Sequence, residues 1–298
     1  MPTTIDQGFA RLRQNLEITD LQEKAVSTRQ QNVRDAVERE MDVWDSFLAG
    51  SYRRNTMIAP LSKADIDIFV VLNSRYYAAD GQASLLDRVR GVLKETYPTT
   101  PEISRNGQAV TITFTDFKVD VVPAFSRTGG GYLIPDSIQR RWIGTDPKQH
   151  VEIWSMANKV HNGNLVPLIK MLKGWNRQHS ALLHSFHLEA LILRVFNNVR
   201  ISDFPSGVRY VFEHAPAAIL GGVTDPAGYG GNLGSYLDTP DKIRDVLSRL
   251  QRAHQRAVEA ERGGGSVRTL LASGLTSHTQ QAYEKWRLIF GDYFPSYG

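Results

Sequence analysis

The segment Asp65-Ile-Asp-Ile-Phe-Val-Val-Leu72 constrains this chain more than any other stretch. It is apolar and rich in β-branched residues, which predicts a strand, and its first and third residues are carboxylates. Residues two apart on a strand project from the same face, so Asp65 and Asp67 aim at one point while Ile66 enters the core. Two carboxylates placed this way repel unless cations sit between them, and oxygen ligands suit hard cations. A third carboxylate, Asp120, stands in Phe117-Lys-Val-Asp-Val-Val-Pro123, a run expected to form a neighbouring strand. Such a set fits phosphoryl transfer with two magnesium ions. Asp65 and Asp67 would bridge the ions, and Asp120 would hold the one nearer the attacking hydroxyl.

Ser51 of the pair Gly50-Ser51 lies fourteen residues before Asp65. A glycine lets backbone amides approach a phosphate, and a serine hydroxyl adds a hydrogen bond to it. Taken singly, Asp-x-Asp is common at solvated strand starts and Gly-Ser is an ordinary turn. The conjunction of both with a distant aspartate on another strand is what selects a catalytic set.

Other features bound the chemistry. The chain has no cysteine, so disulfides and thiolate metal sites are ruled out. With 298 residues, 41% hydrophobic and 22% charged, it matches an ordinary soluble protein able to form two packed lobes. The N-terminal stretch lacks the apolar core of a signal peptide, and the longest apolar runs, Ile66 to Leu72 and Leu188 to Val195, are too short to span a bilayer. A cytoplasmic protein with no membrane partner is the expectation. The net charge of +4 suits triphosphates or a nucleic-acid backbone and leaves room for a nucleic-acid activator.

Residues 4 to 48 carry apolar side chains at spacings of three and four, including Leu12, Leu16, Val33, Val37, Trp44, Phe47 and Leu48. They predict a long helical spine ending at Gly50. After the Asp65 strand, Gln82 to Thr96 reads as a helix. Glu102 to Arg105, Ala109 to Thr115 and Phe117 to Val122 read as strands, with Asn106-Gly107 as a hairpin turn. Thr128-Gly-Gly-Gly131 and Pro135 read as a loop leading to a second region.

Beyond about Lys148 the pattern is helical: residues 151–160, 164–178, 184–198, 205–220, 239–262 and 275–290, with Asn164 and Thr239 as N-caps and Gly263-Gly-Gly-Ser266 separating the last two. The expected class is α+β, with a mixed-sheet lobe over residues 1–147 and a helical lobe over 148–298.

Gly50-Ser51, Asp65-x-Asp67 and the distant Asp120 together resemble the signature of the polymerase-beta-like nucleotidyltransferase superfamily. Leu168-Ile-Lys-Met-Leu-Lys-Gly-Trp-Asn176 looks like the helix that carries a triphosphate-binding lysine in oligoadenylate synthases and in bacterial cyclic oligonucleotide synthases related to the animal cyclic GMP-AMP synthase. Asp225-Pro226 and Asn232-Leu-Gly-Ser235 are similar to further elements of that group. The resemblance covers most of residues 45 to 240. It implies a helical lobe packed across the active-site cleft, NTP substrates with ATP or GTP ahead of pyrimidines, and magnesium with manganese as the alternative. Lys173 is the first choice for the triphosphate and Lys170 the second; one turn apart, they share a helix face. Asn232 and Ser235 are assigned to nucleotide binding. One departure is Asn55, where relatives commonly have glycine; asparagine tolerates the left-handed backbone.

The implied product is a cyclic di- or trinucleotide, a second messenger for anti-phage defence read by a downstream effector. Linear oligonucleotide synthesis, RNA tailing of the CCA or poly(A) type, AMP transfer to a protein and a catalytically silent nucleotide sensor are the competing readings. The RNA-tailing enzymes bind a long RNA, for which no basic, aromatic-rich strip is seen. His187 and Glu189, two apart on a helix, do not face one another and are read as bracing the Lys173 helix rather than holding a metal. Trp175 reads as a core anchor, and Tyr76, Tyr77 and Tyr236 as either packing or base-stacking rings. Gly298 is a candidate for conjugation to a partner's amine, as related defence synthases resemble ubiquitin in this respect.

Overall fold

Threonine caps open the first two helices. Thr4 and Thr19 accept backbone bonds from Gln7 and Gln22, whose side chains return to the cap N–H groups, so α1 (Ile5–Leu16) and α2 (Asp20–Glu40) both start on capping boxes. The computed structural model describes residues 2–100, 102–263 and 275–298; the residues 264–266 of the expected glycine-rich separator lie outside them.

The expected spine does not run on to Gly50. β1 (Val43–Leu48) and the single turn α3 (Gly50–Arg53) replace its end, and β1 pairs antiparallel with β2 (Asp65–Leu72). The helical spacing of Trp44, Phe47 and Leu48 is overridden by this pairing. It is reinforced by Arg34 of α2, which donates to the Ser46 hydroxyl at 2.7 Å and to the Ser46 carbonyl at 2.6 Å.

α4 (Gln82–Thr96) and the hairpin of β3 (Glu102–Asn106) and β4 (Ala109–Thr113) follow as expected. β5 (Lys118–Ser126) extends beyond Val122 and turns back into β6 (Tyr132–Asp136), which pairs with β7 (Arg141–Thr145). The stretch expected as a loop is thus a hairpin. Gly129, Gly130 and Gly131 adopt φ of 92°, 102° and 69°, which permits the reversal. Pro135 sits past the end of the β5–β6 ladder, where its missing N–H costs no bond to β5.

The strands run β1-β2-β5-β4-β3, with β6 and β7 continuing from β5; β2 and β5 are parallel and every other pair is antiparallel. One sheet face is apolar: Ile66, Ile68, Val119 and Val121 pack with Val37 of α2 and Leu86 of α4 in one buried core. Each such side chain contributes about 1.5–3 kcal/mol on burial. The opposite face carries Asp65, Asp67 and Asp120, followed along the strands by Phe69, Val122 and Ala124 in a smaller core.

Helices dominate the rest: α5 (Pro147–Val160), α6 (Leu165–Gln178), α7 (Ser185–Val195), α8 (Phe204–Leu220), α9 (Pro240–Gly263) and α10 (Leu275–Phe290). Thr239 caps as expected, accepting from the Lys242 N–H at 3.3 Å. Asn164 does not. Its backbone is helical rather than extended, and Asn158 supplies the acceptor for the Val166 N–H at 3.0 Å instead.

Two compact units result. One comprises Ile18–Trp154 with Ala227–Gly230 and holds the sheet; the other comprises Met1–Glu17, Ser155–Pro226 and Gly231–Gly298. In the helical unit Phe9 of α1 packs edge-on against Trp286 and Phe294, with centroids 4.9 and 5.4 Å away. Among the described residues no helix is long and apolar enough to cross a membrane. A mixed sheet with segregated helices is an α+β fold.

Candidate active site

The parallel pairing of β2 with β5 sets Asp67 directly beside Asp120, with Asp65 one pleat earlier opposite Lys118. Adjacent strands lie about 4.8 Å apart, so the two in-register carboxylates are close neighbours on one face. Asp65 is exposed, while Asp67 and Asp120 are partly buried. On the other side of β5, Thr111 of β4 stands opposite Asp120, and its hydroxyl donates to Asp120 Oδ1 at 2.6 Å.

Burial raises the Asp120 pKa, and the Asp65 charge adds to the rise, while the Thr111 hydrogen bond and Lys118 oppose it. Negative charge is therefore concentrated where a cation would relieve it. Thr111 was not singled out from sequence. The available signal was a hydroxyl within the apolar run Ala109-Val-Thr-Ile-Thr113, on the strand that a hairpin turn folds against Asp120.

Gly50 stands against Asp67. Its φ is +60°, and a Cβ added there would overlap the Asp67 carboxylate. The Ala49 N–H donates to the Asp67 carbonyl at 2.8 Å, which fixes the turn to β2. Ser51 closes the loop through its carbonyl, which accepts from the N–H groups of Thr56 and Met57 at 2.9 and 3.1 Å. Asn55 takes the left-handed conformation at φ 59°, as its side chain allows.

Lys170, Lys173, Trp175, Asn232, Ser235 and Tyr236 belong to the helical unit. Lys170 pairs with Glu17 at 2.5 Å and Lys173 with Glu189 at 2.9 Å; both ammonium groups are buried, and Glu189 is fully so. Asn232 Oδ1 accepts from the N–H groups of Val223 and Gly234 at 3.3 and 2.9 Å, stapling its own loop. Ser235 is exposed and donates its N–H to the Asn232 carbonyl at 3.2 Å. Tyr236 stacks on His184 with centroids 3.6 Å apart, and its hydroxyl lies 2.9 Å from His187 Nδ1. Trp175 is buried against Phe212. In the sheet unit, Tyr77 packs on Phe125 and Trp142, and the Tyr76 hydroxyl accepts from the Asp42 N–H.

Asp65, Asp67 and Asp120 form an all-oxygen donor set on two paired strands, a chemistry that fits a divalent hard cation. Among the described residues no three carboxylate or imidazole groups converge into a ready-made metal cluster. The backbone register brings the donors to one face, and their side-chain positions leave the set open.

Known proteins resemble this chain over most of its length. The cyclic AMP-AMP-AMP synthase of Acinetobacter sp. (strain ATCC 27244 / 9458) is 28% identical over 313 residues, covering 98% of this chain and 86% of its own. The CBASS oligonucleotide cyclase CdnC of Escherichia coli (strain KTE188) is 25% identical over 83% of this chain and 81% of its own. The structure of E. coli MS115-1 CdnC with ATP shares the fold, with a TM-score of 0.77 at 15% identity over 98% of this chain and 99% of that one. The Second Messenger Oligonucleotide or Dinucleotide Synthetase domain matches residues 3–158, over half of the chain. That match encloses Gly50 at the start of α3 and Asp65, Asp67 and Asp120 on the sheet, and the chain belongs to this family of bacterial cyclic oligonucleotide synthases with the polymerase-beta-like nucleotidyltransferase fold.

Proposed function

We propose that this enzyme joins NTPs into a cyclic di- or trinucleotide with two magnesium ions, making a second messenger for bacterial anti-phage defence. The observation that carries the reading is the register of Asp67 beside Asp120, with Gly50 leaving room for the Asp67 carboxylate. Nucleotidyltransferases use divalent cations, and oxygen-only ligands favour magnesium over softer metals. Held by Asp65, Asp67 and Asp120, the ions would lower the pKa of an attacking hydroxyl and offset charge on the phosphoryl oxygens.

The chain's own groups have defined parts in this reading. Thr111 orients Asp120, and the Gly50-Ser51 turn meets the triphosphate. Lys173, or Lys170 in its place, neutralises triphosphate charge from its helix, with Glu189 or Glu17 holding the ammonium until substrate arrives. Asn232 and Ser235 contribute to nucleotide binding. Residues 1–147 act as the transferase lobe and 148–298 as the helical lobe, and an effector activated by the cyclic product acts downstream. The Acinetobacter relative, aligned over 98% of this chain, supports ATP as substrate and three nucleotides in the ring.

Incubation with labelled NTPs and magnesium, followed by phosphatase and mass spectrometry, tests the reading. ATP alone should give a phosphatase-resistant product with the mass of a cyclic triadenylate, lost in the Asp65→Asn, Asp67→Asn variant. Products with phosphatase-sensitive ends would identify a linear synthase instead. The absence of any product from every NTP mixture, with parent and variant alike, would sink the proposal.

A further inference from the structure

Asp67 and Asp120 also line one end of a cavity of about 390 Å³ whose other walls are two β-turns. One wall is the β3–β4 turn with Asn106, Gly107 and Gln108, and the other is the β6–β7 turn with Asp136, Ile138 and Gln139. The Ser137 N–H and hydroxyl both donate to the Gly107 carbonyl at 2.9 Å, which ties the turns together. Buried Asp136 accepts through Oδ1 from the N–H groups of Ile138 and Gln139, at 3.0 and 2.8 Å, which fixes the second turn internally. The walls are thus set before any ligand arrives.

The lining has a distinctive chemistry. It holds three carboxylates, three uncharged amides and no lysine or arginine. Beyond Asp67 and Asp120, which would hold the ions, the lining adds Asp136 and offers a triphosphate no cationic donor. It accepts a neutral group that offers hydrogen bonds and an apolar face. Asn106, Gln108 and Gln139 are exposed, and among the described residues their side-chain amides make no hydrogen bond, so each has a donor and an acceptor to offer. Ile138 is 79% exposed, an isoleucine that the fold does not bury, and its Cδ1 leans over the hairpin within 3.4 Å of where a Gly107 Cβ would stand. The volume lies near the lower end of the about 300–1,000 Å³ typical of small-ligand pockets, which suits one nucleoside rather than a dinucleotide.

We infer that this cavity receives the nucleoside part of the acceptor nucleotide. Its hydroxyl points to Asp67 and Asp120, its base edge is read by Gln108 and Gln139, and its base face is covered by Ile138. The inference rests on the synthase reading and adds to it the residues that select the acceptor. Amides are able to pair with either purine edge, so the two glutamines set preference by hydrogen bonds that a mismatched base leaves unmade.

The test uses Gln108→Ala, Gln139→Ala, the double variant and Ile138→Ala, all at exposed turn positions where folding is not at stake. For the parent and each variant, kcat/KM is measured with single NTPs and NTP pairs, and product ratios are read by mass spectrometry. Each glutamine variant should lose about fivefold to tenfold in kcat/KM, as expected for one lost hydrogen bond, and should shift the product ratio of mixed-NTP reactions. Unchanged ratios and kcat/KM within twofold of a productive parent would overturn the inference while leaving the synthase reading intact.

A second measurement needs no turnover. Photo-crosslinking of 8-azidoadenosine to the full chain should place adducts on peptides containing residues 106–108 or 136–139. The adducts should be competed by excess adenosine and be lost in the double variant. Adducts confined to other peptides would overturn the inference even if the parent makes no cyclic product.

Discussion

Gly50 and Asp67 occupy adjoining space: at φ +60°, Gly50 leaves room for the Asp67 carboxylate that any Cβ would invade. Gly50→Ala therefore pushes Asp67 off its register partner Asp120 and strains the turn. A displacement near 1 Å at reacting groups costs on the order of 100-fold in rate. Turnover should fall by at least that factor while the circular dichroism spectrum is retained, because Gly50 lies outside the apolar core beneath the sheet. Turnover within threefold of the parent would remove the steric argument.

The Thr111 hydroxyl stabilises the ionised form of Asp120, against burial and the Asp65 charge, which raise its pKa. Thr111→Val keeps the side-chain shape and removes the donor. The Asp120 pKa then rises further, so the carboxylate takes up its proton at a higher pH and loses its cation sooner on acidification. In pH profiles of kcat/KM the acid limb should move toward higher pH, with little change on the alkaline side. An unmoved acid limb would count against Asp120 as the group seen there.

Lys173 and Glu189 are buried 2.9 Å apart, and the pair separates structure from substrate binding. Glu189→Ala strips the buried ammonium of this carboxylate, and breaking one side of such a pair costs about 3–5 kcal/mol. Removing both charges, as in Lys173→Met with Glu189→Leu, should cost much less in urea denaturation. If Lys173 also meets the triphosphate, that double variant folds but shows a raised KM for NTP. A double variant as unstable as Glu189→Ala would contradict the charge-pair account.

His187 is buried with Nε2 lacking a hydrogen-bond partner among the described residues; burial, with a smaller effect of His184, lowers its pKa from 6.5 to about 4. The unfolded chain takes up a proton near pH 6.5, and the folded chain does so only near 4. Stability is then fully present above about 6.5 and is lost as the pH falls toward 4, by roughly 3 kcal/mol at the limit. Urea midpoints measured from pH 7.5 to 4.5 should fall for the parent and fall less for His187→Gln. Parallel curves would exclude His187 as the source.

By itself, the sequence determined the features set by short-range periodicity. Asp65–Leu72 is an apolar, β-branched run with carboxylates alternating at its start, so its strand and the common face of Asp65 and Asp67 follow from local geometry. Gln82–Thr96 and the later helices follow likewise from the 3.6 repeat. The tertiary structure decided what depends on pairing between distant segments. Trp44, Phe47 and Leu48 fit a helix as well as a strand, and only the ladder to β2, with Arg34 bound to Ser46, made β1. The reversal from β5 into β6 was hidden by glycines that are as common in loops as in tight reversals.

At the site, the sequence supplied three aspartates and a glycine, but not their order in space. That Asp67 lies beside Asp120, that Thr111 bonds it and that Glu189 holds Lys173 depend on inter-strand and inter-helix contacts between residues 9 to 53 positions apart in the chain. Local propensity determines which elements form; the burial of their apolar faces against one another determines which polar groups meet.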